Sequence, residues 1–179
     1  MAGAPPQPNP LAPIKGLLDE IAACQDAGAT AAAAIMVYIG IDTMAYLAMP
    51  TGQARQGRAD FITWVGTYLQ AADDSPYEYD GRDVYGARCA MVHTYSVDAD
   101  YHAQNPDVKR FVYHDGGGHT YNPEANAGIV VIGIASLVHD FFGAVHAFVN
   151  AMQHDAPLRE RVAARVPHIV QAVPFNLHE

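Results

Sequence analysis

Arg88 and His93 stand five positions apart in "RCAMVH", a stretch that is otherwise apolar apart from Cys89. Together they have the ingredients of phosphate chemistry without a metal. A neutral imidazole, titrating near about 6.5, can take a proton at neutral pH. A guanidinium is planar and permanently charged, and can hold an anion through paired N–H groups. The spacing alone is weak evidence, because the chain has nine histidines, and Arg161 and His168 make a second pair with Pro167 between them. Spacing by itself fits a plainer account equally well. Arg88 would pair with a carboxylate, and His93 would sit at a helix C-terminus, where a cation is favoured.

Other residues offer other chemistry. Cys89 and His93 lie at i and i+4, the geometry of two metal ligands, and His102, His114 and His119 could complete a site. No CxxC or HExxH spacing is present, so incidental histidines are the simpler reading and no cofactor is expected. His114 and His119 flank the turn "DGGG" and could meet across a hairpin to contact a substrate. That turn is not a phosphate loop, since it lacks the Lys-Ser/Thr and the strand-to-helix context. Asp42 sits in the apolar run "IGIDTMAY", where an ionised carboxylate is costly unless paired. It either holds Arg88 or another arginine, or lies on a polar edge of its helix. Seven of the ten tyrosines fall between Tyr77 and Tyr121, where they could stack on bases or simply pack.

Helices have to position these groups. Leu11, Ile14, Leu17, Leu18 and Ile21 recur at helical spacing up to Gly28. A second helix follows, with Thr30 as N-cap and Pro50 as stop, and a third spans about 54–71 on the stripe Phe61, Trp64, Val65, Tyr68 and Leu69. Asp80 and Asp83 form an acidic capping box that starts the helix of Arg88 and His93, ending near Tyr95. Residues 96–107 read as loop, and "VKRFVYHDGGGHTYNP" reads as a β-hairpin turning at Gly116–Gly118. Asn122 and Pro123 open a long apolar helix over about 123–153, and Asp155 caps a last one stopped by Pro167. The expected fold is mainly α: a helical bundle of five or six helices with one small β-hairpin insertion. Residues 1–13 read as a proline-rich, disordered leader, and 14–179 as a single helical domain.

Composition narrows the options. Half of the 179 residues are hydrophobic and the net charge is −9, which suits a folded core and disfavours a broad phosphate-gripping surface. Two cysteines are too few for a disulfide framework, and fit free thiols in a reducing, cytoplasmic setting. The apolar runs near 31–49 and 128–152 carry Asp42, or His139, Asp140 and His146, and read as core helices rather than membrane spans.

The stretch "DVYGARCAMVHTYS" resembles the Arg-x4-6-His signature of the HEPN superfamily (higher eukaryotes and prokaryotes nucleotide-binding domain). "IGIDTMAYL", "FITWVGTYL" and the long apolar helix extend the resemblance, to small bacterial HEPN-like proteins, over about residues 30–153. It implies a metal-independent endoribonuclease of toxin or defence type, with His93 as general base and Arg88 stabilising the phosphate. Cys89, Tyr95 and Asp42 would support them. It also implies a homodimer, RNA held at a local site, and an antitoxin-like protein partner. Residues five apart on a helix lie about 140° apart around its axis and about 7.5 Å along it. Arg88 and His93 therefore converge only if the helix ends at His93, or if a two-fold dimer through residues 82–96 apposes two copies. One departure stands out: the residue after the Arg is usually polar in active members, and here it is Cys89. The alternatives are a catalytically silent HEPN-like dimerisation or interaction domain and, third, a metal-binding protein using His93, His102, His114 and His119.

Overall fold

The computed structural model describes residues 10–70 and 78–170. Most of the expected leader lies outside these residues. Its last two residues belong to helix α1 (Ala12–Asp26), where Pro13 sits buried in the first turn, a place that needs no N–H. Gly28, at φ +68°, turns the chain sharply into α2 (Thr30–Ala48). Thr30 is the first helical residue, not the cap: the helix begins one residue earlier than expected, with Ala29 in the cap position.

α2 is apolar around most of its circumference and buries Val37, Tyr38, Ile41, Met44 and Leu47. α3 (Arg58–Trp64) continues through a π-helical turn, Val65–Leu69. It starts later than the expected residue 54, where the Asp60 carboxylate accepts the Gly57 N–H at 2.7 Å. Trp64 packs between Phe141 and Phe148, with ring centroids 6.2 Å away in each case.

α4 (Gly81–Thr94) begins as expected. Asp80 Oδ1 accepts the N–H groups of Arg82 and Asp83, and Asp83 Oδ2 accepts the N–H of Asp80. Asp83 also accepts the Lys109 N–H at 2.7 Å, which ties α4 to the approach of the first strand. Where a loop was expected there is a short helix, α5 (Asp100–Gln104). The buried His102 ring organises it by accepting the Ala99 N–H at 3.1 Å.

The small sheet differs from a hairpin. β1 (Arg110–His114) pairs in parallel with β2 (Ile129–Gly133), Arg110 opposite Ile129 and His114 opposite Gly133. The glycine turn does reverse the chain, yet the returning segment makes only a single antiparallel bridge, Thr120 to Val131. Asn122 then caps one helical turn, α6 (Pro123–Asn126), which carries the chain around to run beside β1. A parallel pair needs such a crossover. The β-branched run "IVVIG" takes the strand, so α7 (Ile134–His154) starts eleven residues later than the pattern suggested, at 134 instead of 123.

Asp155 caps α8 (Ala156–Arg165), accepting the Leu158 N–H at 2.8 Å, and a short 3₁₀ turn (Val166–His168) follows. From α8, Arg161 donates to Ala48 O, and Arg165 donates to the carbonyls of Leu47, Met49 and Pro50. These are the carbonyls that the C-terminus of α2 leaves without helical partners. Arg161 is thus a capping residue, which disposes of the second Arg–His pair.

The result is a mainly helical bundle of eight helices among the described residues, two of them only five and four residues long, with a two-stranded sheet at one side. α2 and α7 are long and apolar enough to cross a membrane by length and composition, and here they pack against each other as the centre of the core.

Candidate functional site

The structure brings Arg88 and His93 together within one chain. Arg88 Nη1 lies 2.7 Å from His93 Nε2. α4 ends one residue beyond His93, so the imidazole projects from the last turn and the long arginine stem folds along the helix to reach it. Tyr95, at φ 50° and ψ 45°, turns the chain away immediately afterwards. Of the two routes to convergence read from the sequence, a helix that ends at His93 is the one this geometry follows, within a single chain and to within one residue.

The other edge of the guanidinium is equally engaged. Arg88 Nε donates to Asp42 Oδ2 at 2.7 Å, and both side chains are largely buried, at 20% and 23% exposure. Asp42 thereby resolves its own desolvation problem on the inner side of α2, and Gln56 Nε2 donates to its second oxygen at 3.3 Å. Burial works against the charge on Arg88. The hydrogen bond and charge of Asp42 more than offset it, leaving the guanidinium pKa above its ordinary value.

A guanidinium can only donate. His93 must therefore accept with Nε2, and its own ring proton sits on Nδ1 in the neutral form. The three side chains form one chain of contacts, carboxylate to guanidinium to imidazole, from the half-buried interior to the surface.

Two surface clefts flank this chain. One, of about 320 Å³, is lined by Asp42, Gln56, Gly57, Arg58, Tyr85 and Arg88. The other, of about 770 Å³, holds Cys89 and His93 on one wall and Tyr101 and Arg110 on another. Cys89 stands beside Tyr85, whose hydroxyl pKa is raised by burial and by the neighbouring thiol.

The loop histidines have other work. His114 Nδ1 accepts the Gly116 N–H at 3.1 Å and its Nε2 lies 3.0 Å from Gly118 O, so its ring shapes the glycine turn. His119 Nδ1 accepts the Gly133 N–H at 3.2 Å and its Nε2 lies 3.2 Å from Asp140. In each case an accepting Nδ1 leaves the proton on Nε2. His114 holds the glycine turn to itself, His119 ties it to β2 and to Asp140 of α7, and neither lines the Arg88 clefts. His102 is buried under α4, with Nε2 directed at Gly86. The metal reading loses its ligand set: among the described residues no three His, Cys, Asp or Glu side chains are placed to hold an ion.

Three lining residues, Gln56, Arg58 and Tyr85, escaped the reading of the sequence. Tyr85 had a signal, since it precedes Arg88 by three positions and shares its face of α4. Gln56 and Arg58 had none, because "GQARQGR" meets α4 only through the tertiary fold. Compared with family models, with curated proteins and with solved structures, the chain matches none.

Proposed function

We propose that this protein is a metal-independent endoribonuclease of HEPN type, cytoplasmic, acting through Arg88 and His93. The observation that carries the reading is the 2.7 Å contact between the two side chains at the exposed end of α4, with Asp42 fixing the guanidinium from behind. The resemblance of "RCAMVH" to the family's signature supports the same assignment.

In this mechanism an RNA phosphodiester competes with His93 for Arg88. A phosphate oxygen is anionic and accepts from guanidinium more strongly than a neutral imidazole does. Arg88 Nη1 turns to the phosphate, and the His93 Nε2 lone pair is freed. It takes the proton of the adjacent 2′-hydroxyl, whose oxygen attacks phosphorus. Arg88 stabilises the charge that builds on the non-bridging oxygens. The bond to the 5′ oxygen breaks, that oxygen takes a proton from solvent, and the products are a 2′,3′-cyclic phosphate and a 5′-hydroxyl. Tyr95 and Val97, exposed to 71% and 46% beside the site, favour a homodimer that apposes two such pairs.

A second reading has its own observation. Nε and Nη1 of Arg88 are both engaged and His93 Nε2 is occupied, so the two side chains hold each other as they would in a catalytically silent interaction domain. RNA cleavage in EDTA separates the two. The nuclease reading expects cleavage that is lost in both Arg88→Ala and His93→Ala, and the silent reading expects none in any form.

A further inference from the structure

The ten lysine and arginine side chains of this acidic protein are almost all accounted for. Lys15, Arg82, Arg88, Lys109 and Arg110 face carboxylates of Asp19, Asp107, Asp42, Asp83 and Asp98. Arg159, Arg161 and Arg165 donate to backbone carbonyls. The two that remain are Arg55 and Arg58, both exposed and three residues apart, one just before α3 and the other its first residue. Arg58 contacts only the ring of Tyr101, its guanidinium carbon 5.3 Å from the centroid.

In a chain of net charge −9, two cations without a carboxylate partner among the described residues are informative, and one of them, Arg58, lines a cleft. A guanidinium free of carboxylates keeps its attraction for an external anion, and Tyr101 orients it without neutralising it. Arg58 lines the same cleft of about 320 Å³ as Arg88, where two guanidiniums stand against the single carboxylate of Asp42. Gln56 and Tyr85 line the same cleft, and the Gln56 amide, whose Nε2 donates to Asp42 at 3.3 Å, has a second N–H that bond does not use. The nearby Asp60 carboxylate accepts from the Gly57 N–H and from Gln53 through Oδ2, and it forms no ion pair with Arg58.

We infer that this cleft is a second phosphate subsite, in which Arg58, helped by Gln56 and Tyr85, grips a phosphate of the strand adjacent to the one held by Arg88. The inference rests on the phosphate-handling reading of Arg88, and it adds which neighbouring residues set affinity without taking part in the chemistry. It also accounts for how so acidic a protein holds RNA, by a few local contacts, since each phosphate neutralised contributes through counterion release.

The test is fluorescence anisotropy with a labelled single-stranded oligoribonucleotide that is 2′-O-methylated throughout and therefore cannot be cleaved. Arg58→Ala should weaken binding roughly 10-fold and reduce the slope of log K against log salt by about 1. Lys15→Ala removes the same charge from α1 and should leave binding unchanged, which separates a local contact from net charge. Arg58→Ala binding as tightly as wild type would overturn the subsite, whatever the cleavage result. Tight, Arg58-dependent binding with no cleavage of ordinary RNA would instead sink the nuclease reading and leave the subsite standing. Inorganic phosphate is the final arm. Stabilisation of the fold by millimolar phosphate through Arg58, with no oligonucleotide binding, would contradict the assignment to a nucleic-acid strand.

Discussion

His93 Nε2 accepts a hydrogen bond from Arg88 Nη1 at 2.7 Å, so the two side chains to which the proposed mechanism gives the proton transfer and the phosphate are bonded to each other. In that mechanism the lone pair that takes the proton is the one Arg88 occupies here, and a substrate separates the two while Asp42 holds Arg88.

Asp42 should therefore matter for stability as well as for chemistry. Asp42→Ala leaves a half-buried guanidinium without its counter-charge, at a cost of about 1–2 kcal/mol given the partial exposure of both groups. Asp42→Asn keeps an acceptor for the Nε–H and should lose less. Urea unfolding of the two variants checks the order, and an alanine variant as stable as wild type would show that the ion pair contributes nothing.

Tyr95 is the only non-glycine residue at positive φ among those described. It closes α4 where glycine is the usual occupant, and an L side chain there is strained by about 1 kcal/mol. With its ring 71% exposed, little packing is at stake. Tyr95→Gly should raise stability by about 0.5–1 kcal/mol, while Tyr95→Ala, which keeps the Cβ, should not. Thermal unfolding of the pair decides it: equal midpoints would remove strain from the account of why the chain turns directly after His93.

The elements whose causes are local were legible before any coordinates. The Asp80–Asp83 capping box and the caps at Asn122 and Asp155 each depend on residues within a turn of one another, and each forms, although Asn122 caps the single turn of α6 and not the long helix it was read to open. The long helix over 123–153 was over-extended because "IVVIG" continues an apolar pattern that periodicity alone assigns to either state. Only its pairing with β1, nineteen positions upstream at Arg110 and Ile129, makes it a strand. At the site, Asp42 was legible as a cost that some cation had to meet. That Arg88 meets it, 46 positions away, is a fact of how α2 packs on α4. His102 was the opposite case: it read as a loop residue and is among the most buried polar groups described.

That burial makes His102 a source of pH dependence. Burial, followed by the charge of Arg110, lowers its pKa from the usual value, while Asp98 and Asp83 oppose the shift. Its Nδ1 accepts the Ala99 N–H and its Nε2 has no hydrogen-bond partner within bonding geometry among the described residues, so the fold favours the neutral ring, against a smaller opposing pull from the Lys109 backbone. The unfolded chain, titrating near about 6.5, binds the proton more readily. The contribution of a neutral His102 is thus complete above about pH 6.5 and is lost as pH falls from there toward the depressed folded value, by at most ~1.4 kcal/mol per pH unit. His102→Asn keeps an acceptor for Ala99 and has nothing to titrate. Unfolding free energies at pH 7 and pH 5 should fall more steeply for wild type than for this variant, and parallel declines would rule out the imidazole as the cause.

The central claim concerns what Arg88 and His93 do to a phosphodiester, and the chemistry of the product ends reads it most directly. A short RNA incubated with the protein in EDTA, its fragments weighed by mass spectrometry, should carry 2′,3′-cyclic phosphates and 5′-hydroxyls, with no fragments from His93→Ala. Intact RNA with the wild-type protein, or fragments bearing 5′-phosphates, would contradict it.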